Sequence, residues 1–125
     1  MKINKYESWK PVAELPKSPF FFELHHSEGE LAVLLKELDC PGKTLVIKFT
    51  GVIGYRVVIE AGRLNSLNNS SLLMFCQTQD SDFLTWTKEE SGGIFDDSVL
   101  IHYVMWNIDN IIDVISGPPV LATWQ

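Results

Sequence analysis

The chain has 125 residues, with 16 acidic against 10 basic side chains and a net charge of -6. A domain of this length buries roughly 65–70% of its unfolded surface, so a hydrophobic content of 46% builds a core without metal or disulfide staples. Disordered, collagen-like, coiled-coil and helical membrane-spanning classes are excluded, and the acid excess argues against gripping a phosphate backbone, so neither nucleic acid nor membrane is an expected partner.

Residues 1–19 carry Pro11, Pro16 and Pro19 and only scattered apolar groups at Tyr6, Trp9, Val12 and Leu15. Each proline disfavours a helical residue before it, which predicts an extended N-terminal arm lying on the surface of one domain spanning 1–125. Whether the arm docks on its own chain stays open. No signal-peptide pattern stands at the start, so the expected location is cytoplasmic.

From Phe20 the pattern has period two. Phe20, Phe22, Leu24 and His26 share one face of a strand ending at Ser27, and Glu30 to Leu38 follows after Ser27-Glu28-Gly29. Pro41-Gly42 suits a type II turn before Thr44 to Thr50, where Leu45, Ile47 and Phe49 alternate with polar neighbours. Gly51-x-x-Gly54 reads as a bend into Tyr55 to Glu60, rich in β-branched residues. These four segments predict an antiparallel meander. Asn65 to Ser70 predicts a loop or short helical turn, and Leu72 to Thr78 a fifth strand. Asp80-Ser81-Asp82 offers N-cap residues and Gly92 a left-handed stop, which together bracket one helix. Val99 to Trp106 and Ile111 to Ser116 are further strands about the turn-like Asn107 to Asn110, and Gly117-Pro118-Pro119 precedes a short segment from Val120 to Trp124. The expected fold is mainly β (α+β): a curved antiparallel sheet or partly open barrel of seven to eight strands with one short helix.

Chemistry is sparse. His25 and His26 are adjacent on a strand and point to opposite faces, so they do not share a metal, and neither metal nor cofactor is implied. Cys40, at the Pro-Gly turn, and Cys76, in an apolar run, read as free thiols without an activating neighbour. His102 sits among apolar residues, where a half-buried imidazole needs a hydrogen-bond partner. Carboxylates are the richest resource: Asp80, Asp82, Glu89, Glu90, Asp96 and Asp97 cluster about the helix and its Gly92-Gly93 exit, opposed only by Lys88. They describe a solvated face, a pair for glycosidic chemistry, or, beside Trp86, Phe95 and Trp106, a surface for a basic protein.

The segments Tyr6-Glu-Ser-Trp-Lys-Pro11, Gly54-Tyr-Arg56 with Arg63-Leu64, Glu89-Glu-Ser-Gly-Gly-Ile94, Ile101-His-Tyr103, Asp109 to Ser116 and Trp124 resemble a family of small bacterial proteins, some encoded among polymorphic toxin and immunity genes. The resemblance implies a cytosolic, β-rich protein, with an immunity role, and no catalytic residues to carry over. The leading expectation is therefore a non-enzymatic acidic protein that neutralises a cognate toxin, binding a basic toxin domain through Asp82, Trp86, Glu89, Glu90, Asp96 and Asp97. A second is a small-ligand module of β-barrel type lined by Tyr55, Arg56, His102 and Tyr103, with Arg56 paired to a ligand carboxylate, Glu60 or Asp113. A third is a small hydrolase using His102 with Asp109 or Asp113. Oligomeric state is not legible.

Overall fold

The structure, a computed structural model, describes residues 5–69 and 73–125. The first residues of the arm, Ser70, and Leu72 at the expected start of the fifth strand lie outside that range. In chain order the described elements are β1 (Glu7–Ser8), β2 (Pro19–Ser27), β3 (Glu30–Glu37), β4 (Cys40–Thr50), β5 (Val52–Ile59), a 3-10 turn (Glu60–Arg63), α1 (Leu64–Asn69), β6 (Phe75–Thr78), α2 (Asp82–Glu90), β7 (Ile101–Trp106), β8 (Asn110–Ser116) and β9 (Val120–Trp124). All pairings are antiparallel.

This is the mainly β, antiparallel architecture the sequence predicts, but the strands divide between two sheets, ordered β1-β6-β7-β8-β5 and β2-β3-β4-β9, and neither closes into a barrel. The division comes at Gly51. Its φ of 72° lies in the left-handed region, which glycine enters without a Cβ penalty, and its N–H bonds back to the Gly29 carbonyl at 3.2 Å. The chain turns there, so β2, β3 and β4 form a meander while β5, the expected fourth member, pairs with β8 of the other sheet. The last segment returns as β9 beside β4.

The two sheets pack face to face. Leu31, Val33, Leu35, Leu45, Ile47 and Phe49 from one meet Phe75, Tyr103, Met105, Ile112 and Val114 from the other in a single cluster. The five-stranded sheet is covered on its second face as well. There α2 and the turns after it set Leu84 and Phe95 against Leu100 and Ile115, while Tyr6 and Leu67 cover Cys76, Val104 and Ile111. Burial on both faces explains why β7 and β8 read as near-continuous apolar runs instead of alternating ones.

The N-terminal arm docks in cis and does more than lie on the surface. β1 pairs with β6, the Trp9 N–H donates to the Phe75 carbonyl at 3.1 Å, and the Trp9 ring sits 4.7 Å from Tyr103 and 6.2 Å from Phe49. Trp9, Val12 and Leu15 thereby join the core between the sheets. Trp124 of β9 donates its indole N–H to the Glu14 carbonyl at 2.8 Å, tying the arm to the opposite end of the chain.

Candidate functional site

The helix α2 is built as its sequence predicts. Ser81 caps it, its Oγ accepting the Leu84 N–H at 3.1 Å, and Gly92, with φ 65°, leads the chain away. Leu84 and Thr87 are buried toward the sheet. Asp82, Trp86, Glu89 and Glu90, spaced three and four apart, fall on the outer face, where helical neighbours meet, and all four are exposed.

Beneath the helix the outer face of the five-stranded sheet holds a buried charge cluster. Asp113 on β8 lies opposite Arg56 on β5, and Arg56 Nε donates to its Oδ2 at 3.0 Å. Arg63, delivered by the 3-10 turn, reaches the same carboxylate with Nη1, and with Nη2 at 3.5 Å. His102 Nε2 donates to Oδ1 at 2.7 Å, and its Nδ1 stands 2.7 Å from Ser81 Oγ. Ser81, His102 and Asp113 are all essentially inaccessible. Burial opposes ionisation of Asp113, but the hydrogen bond from His102 and the charges of His102, Arg56 and Arg63 outweigh it, holding the carboxyl below the usual carboxylate range. Tyr6, edge-on to His102 at 5.7 Å, has its hydroxyl pushed up to about 12 by burial first and then by the Asp113 charge.

Ser81, His102 and Asp113 are the residue types of a nucleophile, base and acid, so the expected approach of His102 to Asp113 is found. Asp109 is not part of it, being exposed in the turn before β8. The serine hydroxyl, however, caps a helix inside the packing, and the carboxylate is already matched by two guanidinium groups. In this setting the cluster locks α2 and the 3-10 turn to the sheet. Ser81→Ala removes the cap and leaves His102 Nδ1 without its partner, so a loss of about 1–2 kcal/mol in chemical denaturation is expected.

The cluster also carries a surface feature. The Arg56 guanidinium, anchored by Asp113, lies 4.3 Å from the centroid of the Phe83 ring, within cation–π range. Phe83 in turn stacks on Trp86, centroids 6.2 Å apart and planes 19° from parallel. Trp86 is 57% exposed, although it is the largest side chain of the helix. Arg56, Asp82, Phe83 and Trp86 line an open groove of about 350 Å³.

Of the residues expected to bind a partner, Asp82 and Trp86 meet in this groove. Glu89 and Glu90 continue the same helix face, and Asp96 and Asp97 are exposed in the turns beyond, outside the groove lining. Two aromatics expected beside these acids stand elsewhere: Phe95 packs inward on Leu84, Leu100 and Ile115, and Trp106 packs against the cluster of Cys76, Val104 and Ile111.

The expected four-residue ligand pocket is corrected. Strand alternation puts Arg56 and His102 on the outer face of the sheet and Tyr55 and Tyr103 on the inner one, where both contribute to the core between the sheets. Arg56 has Asp113 as its partner rather than Glu60. Phe83, Ser81 and Arg63 were not expected at this site, Ser81 being read only as a candidate N-cap and Arg63 only within the family resemblance. Arg63 had a usable signal, because a carboxylate inside Ile111-Ile112-Asp113-Val114-Ile115 demands buried counter-charge.

The remaining candidates lie apart from this site. His25 bonds Glu23 at 2.8 Å, and His26 stands 3.3 Å from the Tyr55 hydroxyl. Both cysteines are free, Cys40 exposed and Cys76 buried. Burial pushes the Cys76 thiol up to about 11. A maleimide added to the native protein should therefore modify one thiol, at Cys40, and reach the second only in denaturant, which mass spectrometry reads directly.

No helix among the described residues is long and apolar enough to cross a membrane. A scan of protein-family models, a search of curated proteins and a search of solved structures return no match to the chain.

Proposed function

We propose that the protein is a non-enzymatic binding module that neutralises a basic protein partner, in the manner of a cytoplasmic immunity protein occluding a toxin domain. The carrying observation is the exposed Trp86, held on a rigid Arg56–Phe83 stack beside Asp82. Exposed tryptophan on a fixed support is the kind of group that anchors an interface, because it offers large contact area at little conformational cost. The surrounding Asp82, Glu89, Glu90, Asp96 and Asp97 supply a negative field that steers a cationic partner. A lysine or arginine of that partner laid on the indole face would gain a cation–π contact flanked by carboxylates.

The buried position of Ser81, His102 and Asp113 supports the same reading, since a hydrolytic centre needs its nucleophile in a cleft that substrate can enter. Co-expression with any toxin encoded beside its gene tests the proposal. Survival of the cells and co-purification of an equimolar complex are expected, with association slowing as ionic strength rises. Continued lethality together with no complex would remove it.

A further inference from the structure

Among the described residues the two sheets end in the edge strands β1 and β5 on one, β2 and β9 on the other. An open edge offers unpaired backbone groups to any other strand, and proteins blunt such edges with shortness, proline, bulges or charge. Most of these edges are blunted in that way. β1 has two residues, β2 opens on Pro19 and is broken by a bulge between Phe21 and Glu23, and β9 has five residues and follows Pro118-Pro119. β5 is different. It is eight residues long, holds no proline, and its irregularity is confined to its start, between Val52 and Gly54. Arg56 is its one charged residue, and that charge is already answered by Asp113.

The ladder between β5 and β8 fixes which backbone groups face outward. The Glu60 N–H donates to the Asp109 carbonyl at 3.0 Å, continuing the pairs of Val58 with Ile111 and Arg56 with Asp113. Backbone groups alternate sides along a strand, so Tyr55, Val57 and Ile59 direct their N–H and C=O away from β8. Val57 and Ile59 also keep apolar side chains in solvent there, 39% and 63% exposed. Outward backbone groups beside exposed β-branched side chains are what strand addition uses: the first supply hydrogen bonds and the second supply apolar contact.

We infer that β5 pairs antiparallel with β5 of a second copy of this chain about a two-fold axis, joining the two five-stranded sheets edge to edge. The strand is complementary to itself. Registers that keep the buried faces on one side are centred on a residue, not between two. Centring on Arg56 sets two guanidinium groups opposite each other, and centring on Val58 sends Tyr55 against the 3-10 turn. Centring on Val57 places Val57 on Val57 and Tyr55 on Ile59, all with outward backbone groups, and pairs an aromatic with a β-branched residue. Arg56 then stands opposite Val58 of the second copy with Glu60 of that copy two positions on, so opposite charges adjoin the seam. The seam is thereby neutral in a chain of net charge -6. The two-fold axis stands perpendicular to the joined sheet, so the Trp86 grooves of both copies lie on the same side. The inference rests on the backbone edge of β5 and not on the toxin-neutralising reading.

Analytical ultracentrifugation of the full chain across a range of concentrations tests the assignment. One strand pair makes an interface at the small end of specific ones, so a dimer with Kd of about 1–100 µM is expected. Val57→Lys puts two ammonium groups at the centre of the seam and should weaken the dimer about tenfold or more. Ile59→Lys carries the same test should that variant fold poorly. Leu121→Lys, at an apolar site on β9 that is 62% exposed, should leave the dimer intact. Amide hydrogen exchange of the unaltered chain reads the location: the N–H groups of Tyr55, Val57 and Ile59 are expected to exchange more slowly as concentration rises. A monomer at every concentration overturns the inference, whether those amides exchange freely, an edge open or kept for a different protein, or slowly, an edge covered by the chain itself. So does a dimer that leaves those amides unprotected, that the β5 lysine variants do not weaken, or that Leu121→Lys weakens as much.

Discussion

Asp113→Asn is expected to be the most damaging conservative substitution in the protein. Arg63 is 8% exposed, and both it and His102 direct hydrogen bonds at this carboxylate. Asparagine preserves shape but leaves the guanidinium buried without a counter-charge. Removing one member of a buried ion pair costs about 3–5 kcal/mol, which for a domain of this size lowers Tm by roughly 10–20 °C. The pH dependence follows from the direction of the shift. The folded carboxyl titrates below its unfolded counterpart, so the unfolded chain takes up the proton first as acid is added. The stabilisation is complete above the unfolded carboxyl's range, about pH 4, and is lost as pH falls through the folded one. The gap in stability between wild type and Asp113→Asn should accordingly be widest near neutrality and shrink on acidification. Thermal melts across that range measure it, and a variant with wild-type Tm at neutral pH would refute the account of the cluster.

Trp86→Ala has the largest expected effect on binding. Substituting an exposed helix residue away from capping or core contacts changes stability by about 0.5 kcal/mol or less, so the fold should survive. Truncating an aromatic anchor typically costs an interface about 2 kcal/mol or more, a weakening of about thirtyfold. Leu121 is 62% exposed on β9, in the other sheet, and Leu121→Ala serves as the control that should leave affinity alone. Equal affinities for wild type and Trp86→Ala, with a partner that does bind, would place the interface somewhere other than this groove.

The antiparallel strands, the capped helix and the turn from Asn107 to Asn110 were legible because each rests on local rules: alternation, an N-cap serine, a left-handed glycine, turn residues at fixed offsets. The pairing of β5 was not, because a strand's own pattern does not state which sheet it joins. That choice is made by a single backbone conformation at Gly51. The arm was misjudged for a related reason. Its prolines correctly forbid helix, but nothing local says that Trp9 is inserted between sheets and not laid over one of them. At the candidate site, Asp82 and Trp86 could be read from helix spacing, and Asp113 with His102 and Arg56 from charge placed among apolar neighbours. The ligand pocket lined by Tyr55, Arg56, His102 and Tyr103 does not form because it takes two pairs of adjacent residues, and a strand sends neighbours to opposite faces. Phe83 escaped notice because its role depends on a guanidinium arriving from a strand 27 positions earlier.

The order in which the sheets are completed bears on how the protein is made. β4 sits inside the four-stranded sheet only because β9 covers its free edge, and β9 (Val120–Trp124) is synthesised well after β4 (Cys40–Thr50). Until then β4 presents an eleven-residue strand with unpaired backbone groups, a template for pairing with other chains. Synthesis at roughly 5–20 residues per second leaves that edge open for several seconds. Lys48 and Thr50, exposed along it, are the polar side chains positioned to discourage association during that interval. The nascent chain, more than the finished one, is therefore where substitutions at these two positions should be felt, as a fall in yield of folded protein with no change in its melting temperature.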